Sequence, residues 1–239
     1  MEKPKLMTIY RKLLKYYGHQ GWWPIVNNKT LISEYHPKNY SYPRTQEERF
    51  EVCIGAILTQ NTAWKNVEIC INNLIKNKLI DIKKIDKIDN NELSKLIKSS
   101  GYYNQKTIKI KNFTDYVIKN YNGKLKKLSD KNINEIRKEL LTINGIGKET
   151  ADSIILYAFN KPIFVIDAYT KRIFERLFDL KFKDYDEWQD YFHKNLEEDY
   201  RLFNEYHALI VEHGKNICKK KPLCNDCVLN EICNHKLSQ

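Results

Sequence analysis

Apolar residues recur at helical spacing along most of the chain, and alternation of the kind that marks strands is nearly absent. Leu6, Ile9, Tyr10, Leu13 and Leu14 predict a first helix over about 5–17, closed by Gly18 and Gly21. An aromatic, proline-containing turn follows at Trp22-Trp23-Pro24. Residues 34–46 read as a loop broken by Pro37 and Pro43. Thr45 followed by Glu47 and Glu48 has the form of a capped helix start, and Phe50, Ile54, Ile57 and Leu58 continue that helix on one face. Further helical periods cover about 64–78, 82–88, 91–99, 104–120, 132–141, 148–159, 168–178, 185–194 and 200–215. Strand patterns are short and unconvincing, so the fold class is all-α.

Composition adds a partner to this picture. Gly and Pro number only 8 and 6 in 239 residues, which fits long helices with few turns. Hydrophobic residues at 42% allow a sizeable core, and charged residues at 30% with a mean hydropathy of −0.63 fit a water-soluble chain. No apolar run approaches the ~20 residues of a membrane span. The N-terminus, MEKPKLMTIY, puts Pro4 and charges where a signal peptide needs an apolar stretch, so a cytoplasmic location is expected. The net charge of +11 favours a polyanionic partner through phosphate neutralisation and counterion release.

Candidate chemistry concentrates in three places. The first is 140–176, where one helix ends near Leu141 and another begins near Lys148. Between them, Gly145 and Gly147 allow a tight turn that Ile146 anchors in the core. Backbone N–H groups at the new helix start, with Lys148, can hold a phosphate, although an ordinary helix–helix turn has the same look. Downstream, the apolar run Ile163-Phe164-Val165-Ile166 ends in Asp167. An acid there must be paired or must cap the helix that follows.

The second place is the C-terminal set Cys218, Cys224, Cys227 and Cys233, with gaps of five, two and five residues. Four thiols so close in a cytoplasmic chain argue for metal rather than disulfides, and both zinc and an iron–sulfur cluster use such sets. Cys53 and Cys70 lie in apolar helical surroundings and read as core. The third place is Ile57-Leu58-Thr59-Gln60-Asn61-Thr62 with Trp64 close behind. Gln60 is either a polar helix end or a reader of a base edge. Trp22, Trp23, Pro24 and Trp64 are either core or an aromatic pocket suited to an electron-poor ring, and Tyr102 and Tyr103 carry the same ambiguity.

The stretch GIGKETAD, followed by Asp167 eighteen residues beyond Glu149, resembles the helix-hairpin-helix and Asp signature of the endonuclease III superfamily of DNA glycosylases. The resemblance runs from about Trp22 to Cys233. It implies that Gly145, Ile146, Gly147 and Lys148 bind the DNA backbone and that Asp167 is the catalytic carboxylate for cleavage of the bond between base and sugar. The cysteines are similar to the C-terminal [4Fe–4S] loop of that superfamily, with a first gap one residue shorter. Zinc stays the alternative. Lys219, Lys220 and Lys221 in that gap would meet DNA phosphates, and Gln60 would fill the space left by a flipped base. Members that also nick the strand carry Lys where this chain has Glu149, so a monofunctional enzyme that uses water is expected.

The WWP turn, LTQNT with its following aromatic, GYYNQK at 101–106 and GIGKE-T-AD together resemble the 3-methyladenine DNA glycosylase III type. There the aromatics and the proline sandwich an alkylated purine, a role that falls on Trp22, Trp23, Pro24 and Trp64. The best-known form of that type lacks the cysteine set, and the residue after its catalytic Asp is often Lys where this chain has Ala168. Two helical parts are expected, 41–161 ending in the hairpin and 1–40 with 162–239 carrying the cysteine loop 218–233, the active site lying in the cleft between them. The expected partner is double-stranded DNA with a damaged base, bound by a monomer. The competing functions are a glycosylase or lyase for oxidised, deaminated or mismatched bases, and a non-catalytic DNA-binding module.

Overall fold

In a computed structural model of the chain, which describes residues 3–235, helices dominate and the fold is all-α. In order they are α1 (Lys3–Tyr17), α2 (Gln46–Leu58), α3 (Trp64–Lys76), α4 (Ile82–Lys87), α5 (Asn90–Leu96), α6 (Tyr103–Tyr121), α7 (Leu125–Ser129), α8 (Ile133–Thr142), α9 (Lys148–Ser153), α10 (Ala168–Phe178), α11 (Tyr185–Asn195) and α12 (Tyr200–Asn216). The sole sheet among the described residues is one antiparallel pair, β1 (Ile25–Val26) and β2 (Ser33–Glu34), with Ile25 opposite Glu34 and Val26 opposite Ser33. The chain divides into two compact units, Met1–Trp22 with Pro162–Gln239, and Trp23–Lys161.

Local signals explain most element boundaries. Thr45 closes a capping box with Glu48 at the start of α2, and Asn132 does the same with Glu135 at α8. Two features are not visible in the periodicity. The short α7 is one, marked only by buried Leu125 and Leu128. The other is a π turn over Ile154–Ala158, where the pattern predicts a continuous α-helix to 159; Phe159 N–H donates to the Ile154 carbonyl at 3.2 Å. All five residues of this wide turn are buried, so the position of each side chain, rather than an amphipathic period, dictates the backbone there.

In the unit 23–161, the strand pair is pinned to α2, because the Glu51 carboxylate accepts the Val26 N–H at 2.8 Å. Trp23 lies on the same helix, where a Cβ on Gly55 would come within 3.1 Å of its indole. In the other unit, Phe164 stacks on Phe192 (ring centroids 4.1 Å) and meets Phe203 and Tyr206 edge-on. Each such fully buried ring contributes roughly 1.5–3 kcal/mol of transfer free energy. The helices α10 and α12 approach closely, and only glycine fits at 214, where a Cβ would sit 2.5 Å from the Tyr169 ring. No helix of the described residues is long and apolar enough to cross a membrane.

Candidate active site and nucleic-acid interface

The segment carrying Asp167 is buried, yet it belongs to no helix or sheet. Three of its backbone polar groups are met by side chains of α11 instead. His193 Nε2 accepts the Phe164 N–H at 3.0 Å, Gln189 Nε2 donates to the Phe164 carbonyl at 2.7 Å, and the Tyr185 hydroxyl accepts the Ile166 N–H at 3.2 Å. Tyr185, Gln189 and His193 are four residues apart, so they form one polar stripe along α11 that stands in for a neighbouring strand. This holds the apolar run still and delivers its last residue to the start of α10.

Asp167 caps α10. Its Oδ1 accepts both the Thr170 N–H (2.7 Å) and the Thr170 hydroxyl (2.8 Å). Oδ2 faces Nε2 of the buried His207 at 3.7 Å. With 9% exposure the residue is almost enclosed, and the cap engages only one of its oxygens. The capping reading of Asp167 is therefore correct, and it leaves the second oxygen for other work. Thr170 could have been found in the sequence, since a Thr three residues into a helix is a familiar partner of its N-cap. Nothing in the sequence marks His207.

The hairpin has the predicted form: α8 ends at Thr142, Ile143–Gly147 turn, and α9 begins at Lys148. Gly145 has φ +96, a conformation open to glycine, and a Cβ there would strike Lys109 Cγ at 2.3 Å. Ile146 is buried at 5% exposure and anchors the turn, while Gly147 is exposed at the helix start. Arg137 on α8 grips Asp152 on α9 with two hydrogen bonds of 2.8 and 3.2 Å, which fixes the two helices across the turn. Glu149, the second residue of α9, is exposed.

Gln60 is tied to that hairpin. Its amide nitrogen donates to the Gly145 carbonyl (3.1 Å) and to the Thr150 hydroxyl (2.9 Å), and its oxygen accepts from Lys109 Nζ (2.5 Å). The loop carrying Gln60 is held from below by Lys106. This buried ammonium donates to the Leu58 carbonyl (2.8 Å), the Thr62 hydroxyl (2.6 Å) and the Ser100 carbonyl (2.7 Å), and burial pulls its pKa down to about 8. Lys106 closes the GYYNQK motif, which does not reveal its bonding role, and Lys109 carries no sequence signal. The Ser100 loop continues into Tyr102, which is 71% exposed in a left-handed conformation (φ 44).

Of the predicted aromatics, Trp22, Trp23 and Trp64 are half-buried and Pro24 is buried. Trp23 meets Trp64 edge-on (ring centroids 5.3 Å) and Tyr157 of the π turn at 5.2 Å. Trp22 falls in the other unit. Cys53 and Cys70 are fully buried, and burial pushes both thiols up.

The four C-terminal cysteines are half-buried, on a loop with two 3-10 turns, Cys224–Asp226 and Asn230–Ile232. Burial raises the Cys227 thiol, and the charges of Cys218, Cys233 and Cys224 raise it further, so the four sulfurs share one field. Arg176 donates to Cys218 Sγ at 3.2 Å, and His213 Nε2 lies 3.5 Å from Cys227 Sγ. Among the described residues, no group of three or more His, Cys, Asp or Glu is drawn tightly enough to hold a metal ion. The donor set nonetheless fits a thiophilic metal group: four soft ligands on one loop, with a guanidinium and an imidazole beside the sulfurs. Lys219, Lys220 and Lys221 are exposed on this loop, and Arg176 binds the carbonyls of the first two (2.6 and 2.9 Å).

A hairpin clamped between two helices is thus followed, after a buried segment outside any helix or sheet, by a capped carboxylate. The model of the HhH-GPD superfamily of base excision DNA repair proteins matches residues 54–198, and the chain belongs to that superfamily. It is a DNA repair glycosylase of the endonuclease III type of fold. A protein of Methanocaldococcus jannaschii assigned as a DNA repair glycosylase is 47% identical over 233 residues, covering 97% of this chain and 96% of its own. Endonuclease III of Thermotoga maritima is 30% identical over 199 residues, covering 80% and 86%. Among solved structures, the 3-methyladenine DNA glycosylase MagIII of H. pylori, bound to 1,N6-ethenoadenine, superposes with a TM-score of 0.67 at 28% identity, over 89% of this chain and 95% of that one.

Proposed function

We propose that this glycosylase is monofunctional and hydrolyses the N-glycosidic bond of alkylated purines such as 3-methyladenine in duplex DNA. The observation that carries the substrate class is the pair of half-exposed indoles, Trp23 and Trp64, held in contact just beyond the Gln60 loop. Electron-rich faces attract a ring that alkylation has made cationic. The likeness to a 3-methyladenine glycosylase bound to a modified adenine supports the same class. Exposed Glu149 supports the monofunctional reading, because a carboxylate cannot form a Schiff base.

In this reading the Gly145–Lys148 turn and the lysines at 219–221 grip phosphates, and the target nucleotide is flipped. Trp22, Trp23, Pro24 and Trp64 form the stacking surface for its base. As the bond from C1′ to the ring nitrogen lengthens, positive charge builds on the sugar, and Asp167 stabilises it through its uncapped oxygen. A cationic base leaves as a neutral molecule, so no protonating acid is needed. Cys218, Cys224, Cys227 and Cys233 would hold a [4Fe–4S] cluster, whose contribution when bound is to cross-link the loop and fix its lysines; zinc would do the same. The four-cysteine loop and the endonuclease III relatives favour a second reading, a glycosylase with lyase activity on oxidised, deaminated or mismatched bases.

The test is release of free base from duplexes each carrying one lesion: 3-methyladenine analogues, hypoxanthine, 8-oxoguanine, uracil and thymine opposite guanine. Alkylpurine release with strand cuts only after alkali is the expected result. Cuts without alkali, or a covalent adduct trapped by borohydride, would establish the second reading. Binding without release of any base would leave a DNA-binding module. Iron, sulfide and zinc analysis of the purified protein decides the metal.

A further inference from the structure

The helix α12 brings a second titratable side chain to the catalytic carboxylate, and no motif points to it. We infer that His207 is a positioning residue for Asp167, and that it takes up the proton which hydrolysis sets free. This inference rests on the catalytic role proposed for Asp167. Oδ1 of Asp167 is committed to Thr170 by two hydrogen bonds, so Oδ2 alone can change its partner during a reaction. His207 Nε2 lies 3.7 Å from that oxygen, and a side-chain shift of about 1 Å brings the two into hydrogen-bond range. Such contacts are often long in the absence of substrate.

The reaction needs a proton acceptor. In a cationic alkylpurine nucleotide the bond between C1′ and the ring nitrogen breaks with its electron pair going to the purine, which departs neutral. Water oxygen bonds to C1′, and one water proton is displaced. That proton goes to Asp167 Oδ2, then to His207 Nε2, and finally to solvent when the product leaves. Burial lowers the proton affinity of the His207 ring, so the ring is neutral near pH 7, and the Asp167 charge beside it is what favours a proton there. Asp167 is the charged group whose field reaches the ring. The neighbouring carboxylate on the same helix, Glu205, is bound instead by His19 Nδ1 (3.1 Å) and the Gln20 N–H (2.6 Å).

Two measurements on the full chain test the pair. The first follows the imidazole Cε1–H resonances by NMR, His207 being assigned by its loss in His207→Gln. In Asp167→Asn the His207 midpoint should move to lower pH, because the anion that favours imidazolium is gone; an unmoved midpoint overturns the inference. The second is single-turnover release of alkylpurine from methylated duplex between about pH 4 and 8, a range that spans ordinary Asp and His values. His207→Gln should slow release by roughly 10- to 100-fold at unchanged duplex affinity. The acid limb of the variant should also differ from that of the wild type, because the imidazole no longer contributes to it. A wild-type rate, or a slower rate with the wild-type pH profile, overturns the inference. Wild-type protein that releases no base would overturn the glycosylase reading and the proton role with it, while a coupled NMR midpoint would still show the pair.

Discussion

Asp167 and Glu51 show how burial gives two carboxylates different work. Asp167→Asn keeps an oxygen to accept the Thr170 N–H, so the α10 cap survives the substitution. Base release should fall by about 10³-fold or more, while duplex binding and the melting temperature stay near wild type. A parallel loss of binding would mean that the carboxylate serves structure alone. Glu51 is buried at 5% exposure, and burial pushes its pKa up to about 8, against one favourable N–H from Val26. Its folded pKa is raised, so its contribution is full below the unfolded value, near 4.5, and is lost as pH rises towards 8. Glu51→Gln keeps an acceptor for Val26 and removes the ionisation. It should flatten the pH dependence over that window and stabilise the protein above it by roughly 1–3 kcal/mol, read as melting temperature against pH. An unchanged pH dependence would show that the carboxyl finds water or a cation when it ionises.

At the scale of elements, the hairpin is one part of a larger clamp. Gln60 from the end of α2 and Lys109 from α6 both close on the Gly145 turn, and Arg137 with Asp152 locks the helices on either side of it. Gly145→Ala must abandon φ +96 or displace the Lys109 stem. We expect a loss of about 1–3 kcal/mol in stability and a larger proportional loss of duplex affinity, measured by thermal melting and fluorescence anisotropy. Equal affinity would separate the turn from DNA binding. The hairpin was legible because two glycines around one apolar residue admit few backbones, and the helices were legible because their periods are long. The partners of Gln60 were not, since Lys109 and Thr150 come from distant segments and each looks like an ordinary surface or helix-start residue. The stripe on α11 that supports the Asp167 segment was hidden for the same reason: Tyr185, Gln189 and His193 have no pattern of their own until the segment they serve lies against them. The π turn at Ile154–Ala158 breaks a rule that periodicity assumes, a fixed number of residues per turn.

For the whole molecule, the excess of 41 basic over 30 acidic residues favours a polyanionic partner, and the exposed lysines at 219–221 present some of that charge. Replacing Lys219, Lys220 and Lys221 with Ala should weaken binding to all duplexes alike and reduce the slope of log affinity against log salt by up to about 2–3, near 0.9 for each phosphate no longer neutralised. An unchanged slope would remove this loop from the DNA interface. Family membership was readable because its two signatures, the hairpin with its Asp and the four cysteines, lie in order along one chain. A base-stacking role for the tryptophans was less readable, because Trp22, Trp23 and Trp64 carry the same letter whether they pack or stack. The tie between α10 and the cysteine loop reaches further than its own bonds. Arg172 and Arg176 project from α10 and hold Gly214, Cys218, Lys219 and Lys220, and the same helix begins at Asp167. One helix thus starts from the Asp167 cap and carries the cysteine loop on the arginines of its later turns. A pull on the loop would be felt at the carboxylate, because both hang from one beam.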